Sequence, residues 1–289
     1  SPMTYIGRFA PSPTGPLHMG SLVAALISYL DAKAHGGKWL LRIEDLDPPR
    51  EDPEAPSRIR ETLSLLGLEW DGEVLYQSDR LDAYAEALKQ LENQRDVFPC
   101  TCTRKEVGQQ YTGTCRQQTF ANMTGDYAIR IKVPTQSVQF TDRHLGDQRW
   151  DLNASPGDFI IKRKDGLFAY QLAVVVDDFY QQITHVVRGI DLLDSTPRQI
   201  HLQRRLGYPT PDYFHFPVLT DTSGEKLSKQ TFAEPVVVND PVDTMIKLLT
   251  IINHAPPETD TLSNILQWAV DSWQPDALPA GNAIVFKDE

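Results

Sequence analysis

Three groups of residues in this chain have types and spacings suited to chemistry. The first begins with Tyr5–Ala10, which reads as a short apolar strand. It runs through Pro11, Pro13, Gly15 and Pro16 into His18-Met19-Gly20-Ser21, and a helical pattern follows at once with Leu22, Leu26 and Leu30. A strand, a tight loop and a helix N-terminus together bind anionic phosphate through backbone N–H groups and the helix dipole. Gly20 lets the backbone come close to a nucleotide. His18 is placed to donate a hydrogen bond to a phosphoryl oxygen that gains charge in a transition state. A bare H-x-G better suits a buried, satisfied histidine beside a proline-rich loop, whereas the whole string does not. The second group is Lys226-Leu227-Ser228-Lys229-Gln230. Here Lys229 offers a point charge and Ser228 a hydroxyl donor. On its own this string also fits a solvated basic loop. The third group is Cys100-x-Cys102 with Cys115, three thiols inside sixteen residues. A Cys-x-Cys pair is too close for an easy disulfide, which favours a metal. Zinc takes four tetrahedral ligands, and the nearest polar candidate for the fourth is Tyr111. Three buried free thiols are the other reading.

The elements that must hold these groups follow from periodicity and punctuation. A helix is expected from about Ser21 to His35, ended by Gly36-Gly37. Trp39–Ile43 reads as a second strand, so the chain opens βαβ and implies a parallel sheet. Ile59, Leu63 and Leu66 suit a helix stopped by Gly67, and Asp79 is a candidate cap for a helix carrying Tyr84, Leu88 and Leu91. Residues 98–158 change character, with turn-rich stretches around Tyr111–Cys115 and short alternating runs such as Ala128–Val133. Strands resume at Phe159–Lys162 and Thr184–Val187. Thr196 as N-cap, Pro197 at the first position and Gly207 past the end mark another helix. Asp240-Pro241 opens a last one with Met245, Leu248, Leu249 and Ile252 on its apolar face. The expected organisation is a first half of the nucleotide-binding fold over 1–97, an insertion over 98–158, a second half over 159–235, and a small helical appendage over 236–289.

Composition narrows the class. The chain has 289 residues, 40% of them hydrophobic, which is ordinary for a globular protein with a real core. No apolar run approaches the roughly 20 residues that span a bilayer, and no signal-peptide pattern opens the chain. Three cysteines argue against a disulfide framework and fit a reducing cytoplasm. The net charge of −11 argues mildly against nucleic acid, although only a binding face has to be basic. From Pro235 onward the only Lys or Arg residues are Lys247 and Lys287. Basic residues gather instead at Arg198, His201, Arg204 and Arg205 and at Lys162–Lys164, patterns that also fit solvated faces. A monomer is expected.

Read together, Arg8–Gly15 and His18–Ser21 resemble the opening of glutamyl-tRNA synthetases, class I enzymes with an HIGH-type signature. Lys226–Gln230 resembles the KMSKS loop of that class. Between them, Tyr170–Asp178, Val187-Arg188-Gly189 and Thr196–Gln199 are similar to the middle of the glutamyl catalytic core. Ser12 favours the glutamyl over the glutaminyl branch. The resemblance implies a Rossmann-like α/β fold that uses ATP with Mg²⁺ and glutamate. It implies His18 and Lys229 as catalytic residues, with Gly20 and Ser228 beside ATP. Arg8 suits the glutamate γ-carboxylate, because guanidinium binds carboxylate bidentately. Glu44, just past a strand's carboxyl end, suits the ammonium. Arg42, Glu44, Asp45 and Asp47 also fit a surface ion-pair cluster. By the family motif, Ser12, Tyr170 and Arg188 complete the glutamate pocket. Synthetases that charge their cognate tRNA carry a large anticodon-binding region after the KMSKS-like loop. The shorter chain here resembles instead the paralogues that join glutamate to queuosine at the wobble position of tRNA-Asp. Leu192, where discriminating enzymes commonly carry a histidine, points the same way. Those paralogues use a Cys, Cys, Tyr, Cys set, which implies a structural zinc on Cys100, Cys102, Tyr111 and Cys115. A conventional glutamyl-tRNA synthetase fragment, an idle synthetase-fold binding module and a small-molecule nucleotidyltransferase are the competing readings.

Overall fold

A computed structural model describes residues 4–227 and 234–287. The chain divides into two compact units. One comprises Ser1–Tyr76, Ile183–Leu192 and Asp212–Glu289, and the other Gln77–Gln182 and Leu193–Pro211.

The first unit is built on parallel strands. Ile6–Phe9 pairs with Lys38–Ile43, which pairs with Leu75–Tyr76. On the other side, Thr184 ties the start of His185–Gly189 to Ile6: its N–H donates to the Ile6 carbonyl at 2.9 Å, and its Oγ1 accepts the Ile6 N–H at 2.8 Å. His185–Gly189 then pairs in parallel with Asp212–Phe216. The spatial order is third, second, first, fourth, fifth, the order of a doubly wound sheet that reverses beside its first strand. Gly37 has to be glycine, since a Cβ there would lie 2.4 Å from the Tyr5 carbonyl oxygen.

The helix Met19–Ala34 buries Leu22, Val23, Ala25, Leu26, Ile27 and Leu30. It starts two residues earlier than its apolar pattern suggests, because His18 caps it. The helices Pro241–Ile251 and Leu262–Asp271 add Met245, Leu248, Leu249, Ile265, Leu266 and Ala269 to the same core. Asp240 caps the first of them, accepting from the Val242 and Asp243 N–H groups. Trp273 Nε1 donates to buried Asp31 of the first helix at 3.0 Å. The strand Ala283–Val285 pairs with Val218–Thr220. These C-terminal elements are therefore part of the first unit's core and do not form the appendage that their amphipathic pattern suggested.

The second unit contains an antiparallel sheet of Val97–Cys100, Ala128–Ile131 and Phe159–Lys162 and a hairpin of Val138–Asp142 with Gly146–Trp150. Its main helices are Leu81–Asn93, Tyr170–Tyr180 and Ser195–Leu206. Two expected caps shift. Asp79 ends a short 3₁₀ turn, and Arg80 precedes the helix with no side-chain cap. Thr196 lies inside its helix behind Asp194, because the Thr196 N–H already bonds the Leu193 carbonyl in a turn begun earlier. Gly207 closes that helix at φ +77°.

Asp177, fully buried, accepts from Gln77 Nε2 at 3.1 Å, Arg80 Nε at 3.1 Å and Tyr84 Oη at 2.5 Å. Removing one partner of a buried charge cluster strands the others. Asp177→Ala is expected to cost about 3 kcal/mol, read as a lower denaturation midpoint. Asp194→Ala, which loses a partly exposed pair with Arg198, is expected to cost under about 1 kcal/mol. Equal midpoints for the two variants would contradict this assignment. No described helix is long and apolar enough to cross a membrane.

Candidate active site and metal centre

His18 has extended backbone and stands at the N-cap of Met19–Ala34, where its Nδ1 accepts the Ser21 N–H at 3.3 Å. The Ser21 hydroxyl lies 2.9 Å from Nε2. No acidic residue occupies the first turn, so the positive end of the helix is left for an anion. The segments flanking Ser228–Gln230 meet this turn from both sides. A Cβ on Gly20 would sit 3.0 Å from the Leu227 carbonyl oxygen. On the C-terminal side, Pro235 bridges to His18, and the Val236 N–H donates to the Leu17 carbonyl at 3.0 Å. Ser228 and Lys229 themselves lie outside the described residues. Lys226 forms an ion pair with Asp191.

Burial, followed by the positive charge of Lys226, lowers the His18 pKa below its ordinary value of 6.5. The neutral ring is thus favoured, and any contribution of His18 to activity or stability is lost as pH falls through that lowered value. Lys226→Met removes one of the two causes and leaves Asp191 unneutralised. The acid limb of the activity profile is therefore expected to move to higher pH. A limb that stays in place would show that another group sets it.

Arg8, Glu44 and Arg188 stand at or just past the carboxyl ends of parallel strands, where open α/β sheets bind ligands. Arg8 is the penultimate residue of the first strand and is buried. Glu44 follows Lys38–Ile43 directly, and its Oε2 accepts from Arg42 Nε at 3.3 Å. Arg42 and Glu44 are both buried, so these two do not form a surface cluster. Arg188 is also buried and penultimate, and its Nε donates to His215 Nε2 at 3.3 Å. The register sets Arg188 opposite His215. The proline loop is tied to the same edge: the Glu44 N–H donates to the Pro11 carbonyl and the Asp52 N–H to the Pro13 carbonyl, both at 2.9 Å. Ser12 is exposed on that loop. Tyr170 belongs to the other unit, as the first, partly exposed residue of its helix.

The sequence reading missed His215 and Asp191. A histidine inside the apolar strand Asp212–Phe216, one residue from its end, was the available signal for the first. For Asp191 only its closeness to Arg188 in sequence pointed there.

The sulfur atoms of Cys100, Cys102 and Cys115 all lie within 4.8 Å of one another, with Cys102 and Cys115 at 3.5 Å. Tetrahedral zinc with bonds of about 2.3 Å sets its sulfurs about 3.8 Å apart, so the donor set fits the ion. Tyr111 packs in the same small cluster, and its Oη accepts the Cys115 N–H at 2.6 Å. The backbone of Tyr111 is clamped. Its N–H donates to the Pro156 carbonyl at 2.9 Å, and Gly157, at φ +81°, lies so close that a Cβ would be 2.3 Å from the Tyr111 carbonyl oxygen. Burial and hydrogen bonds to its neighbours push the Cys102 thiol up to about 12, and burial raises the Tyr111 phenol as well. Burial also raises Cys115, but the Thr101 N–H and the neighbouring S–H and O–H donors outweigh it and bring it below the ordinary value. Protonated, the set holds together by weak hydrogen bonds. A cation would replace those protons.

A family profile described as tRNA synthetases class I (E and Q), catalytic domain, matches residues 6–244. A glutamyl-Q tRNA(Asp) synthetase of Pseudomonas fluorescens is 47% identical over 96% of this chain and 94% of its own. Its namesake in Thiobacillus denitrificans is 49% identical over 96% of each. The one in Neisseria meningitidis is 48% identical over 95% of this chain and 97% of its own. Among solved structures, a glutamate tRNA ligase of Elizabethkingia meningosepticum in complex with its amino acid superposes with a TM-score of 0.81. It is 24% identical, and the match covers 98% of this chain and 67% of that one. At that identity the likeness speaks for the fold alone. With the parallel sheet, the capped His18 turn and the relatives along nearly its whole length, the chain belongs to the class I tRNA synthetases of the E and Q group and, within them, to the glutamyl-Q tRNA(Asp) synthetases, as an aminoacyl-tRNA synthetase-like ligase.

Proposed function

We propose that the chain activates glutamate with ATP and transfers it to the queuosine base at the wobble position of tRNA-Asp. The observation that carries the reading is the gathering of Arg8, Glu44 and Arg188 at the strand ends of the unit that also holds the His18 turn. In the first step a glutamate α-carboxylate oxygen attacks the α-phosphorus of ATP, and the bond to the departing pyrophosphate breaks. Such a reaction needs positioning and charge stabilisation more than covalent help. His18 and the N–H groups behind it face the α-phosphate, and Gly20 allows the approach. Lys229 and Ser228 meet the pyrophosphate, while Mg²⁺ comes with the nucleotide, held by phosphates and water. Arg8 and Arg188 take the γ-carboxylate, Glu44 takes the ammonium, and Ser12 completes the pocket. In the second step a queuosine hydroxyl attacks the activated carbonyl and AMP leaves.

Cys100, Cys102, Tyr111 and Cys115 are read as the ligands of a structural zinc. The ion would staple a stretch that has little core of its own.

Two assays test the reading in order. Pyrophosphate exchange into ATP is expected to depend on glutamate. Labelled glutamate is then expected to pass to tRNA-Asp that carries queuosine and not to the same tRNA without it. Equal labelling of both, or charging of tRNA-Glu at its 3′ end, would favour a conventional glutamyl-tRNA synthetase. Exchange without any need for glutamate would reject the activation step.

A further inference from the structure

Arg130 is a buried cation whose partners include no carboxylate. It is 7% exposed. Its Nε donates to Cys100 Sγ at 3.3 Å, and one terminal nitrogen donates to the Asp158 main-chain carbonyl at 2.7 Å. The guanidinium carbon lies 4.1 Å from the centroid of the Tyr111 ring. The Asp158 carboxylate is engaged elsewhere: Arg116 grips it with bonds of 2.5 and 2.7 Å, and the Val133 N–H donates to it at 2.8 Å. Among the described residues no carboxylate lies within ion-pair distance of Arg130.

A desolvated cation of this kind is destabilising unless a counter-charge stands beside it. The groups beside Arg130 are a thiol and a phenol, and a metal takes ligands of these types in their deprotonated form. Three thiolates and a phenolate around a divalent ion leave the centre net negative, and a neighbouring guanidinium offsets that charge. The geometry is fixed by the sheet. Arg130 stands opposite Phe98 in the antiparallel pair that also carries Cys100, and Phe98 stacks against Tyr111. Outer residues of this type orient metal ligands and commonly change metal affinity when replaced.

We propose that Arg130 is the positioning residue of the metal centre. It directs the Cys100 sulfur and clamps the Tyr111 ring so that thiolate and phenolate face one cation, and it supplies the counter-charge for a wholly anionic ligand set. The inference rests on reading the thiol cluster as a metal site.

The test uses the full chain loaded with Zn²⁺, in competition with a chromophoric chelator, and with Co²⁺ as a spectroscopic probe. Arg130→Met is expected to weaken Zn²⁺ binding by about 10–100-fold. Its Co²⁺ spectrum is expected to keep thiolate bands and lose the phenolate contribution. Arg130→Lys, which keeps the charge without the planar face, is expected to recover only part of the affinity. A folded Arg130→Met with the parent's affinity and spectrum would overturn the proposal. If that variant does not fold, the same two readouts on Arg130→Lys decide. On the unaltered protein, the Arg130 Nε–H resonance is expected to shift when Zn²⁺ binds, and an unmoved resonance would also overturn it. A parent chain that takes up neither ion rejects the metal reading itself. A parent that binds while Arg130→Met binds equally well rejects only the role of Arg130.

Discussion

Arg188→Met is expected to lower kcat/KM for glutamate in pyrophosphate exchange by about 10²–10³-fold, with little change in the KM for ATP. The buried guanidinium is held by His215 Nε2 and stands near the Tyr213 ring, both on the neighbouring strand. It is therefore oriented before substrate arrives. Truncating one partner of a buried, hydrogen-bonded charge pair costs about 2–5 kcal/mol, and each 1.4 kcal/mol or so is tenfold. Arg8→Met is expected to act alike. Arg188→Lys is not expected to restore activity, because an ammonium lacks the planar fork that matches a carboxylate. Parent kinetics in Arg188→Met would remove this residue from the glutamate pocket. A loss confined to the KM for ATP would move it to the nucleotide side.

Stripping the metal is the second large effect expected. Between Cys100 and Ala128 the chain has little regular structure beyond the four-residue helix Arg104–Val107 and a short 3₁₀ turn. Its well-buried side chains there are Tyr111 and Cys115. Little apolar burial is available to offset the entropy of ordering this stretch, and an ion held by the three thiols would supply it. Structural zinc in small domains contributes about 10–16 kcal/mol of apparent binding free energy. A strong chelator is thus expected to lower the thermal midpoint by many degrees and to open residues 101–127 to proteolysis. Cys102→Ser is expected to do the same without chelator. An unchanged midpoint and cleavage pattern after verified metal removal would reject the structural role.

The parts of the fold that were legible were those with local signals. The strand Phe159–Lys162 and the cap at Asp240 follow from a short apolar run and side-chain chemistry within a few residues. The parallel opening followed from a strand, helix, strand pattern with a glycine pair. What escaped depends on distant partners. Asp79 and Thr196 have the right chemistry for caps, but turns begun at Gln77 and Leu193 already occupied the neighbouring N–H groups. The C-terminal helices looked like an appendage because amphipathicity does not say which core a face joins. Trp273 reaching Asp31 across 242 positions is not visible in a window of twenty. In the candidate site, the types of Arg8, Glu44 and Arg188 were readable. His215 offered only the signal of a histidine in an apolar strand, because its contact with Arg188 comes from the strand register. The closeness of the three thiols agrees with their spacing, whereas the guanidinium of Arg130 arrives from another strand.

Glutamylation of queuosine can be read directly on the nucleoside. tRNA-Asp containing queuosine is incubated with the chain, ATP and glutamate, then digested to nucleosides and analysed by mass spectrometry. The queuosine peak is expected to shift by one glutamyl residue, in an ATP-dependent manner, and to stay in place with His18→Ala. Glutamate found on the terminal adenosine instead, or queuosine left unmodified while glutamate-dependent exchange is active, would contradict it.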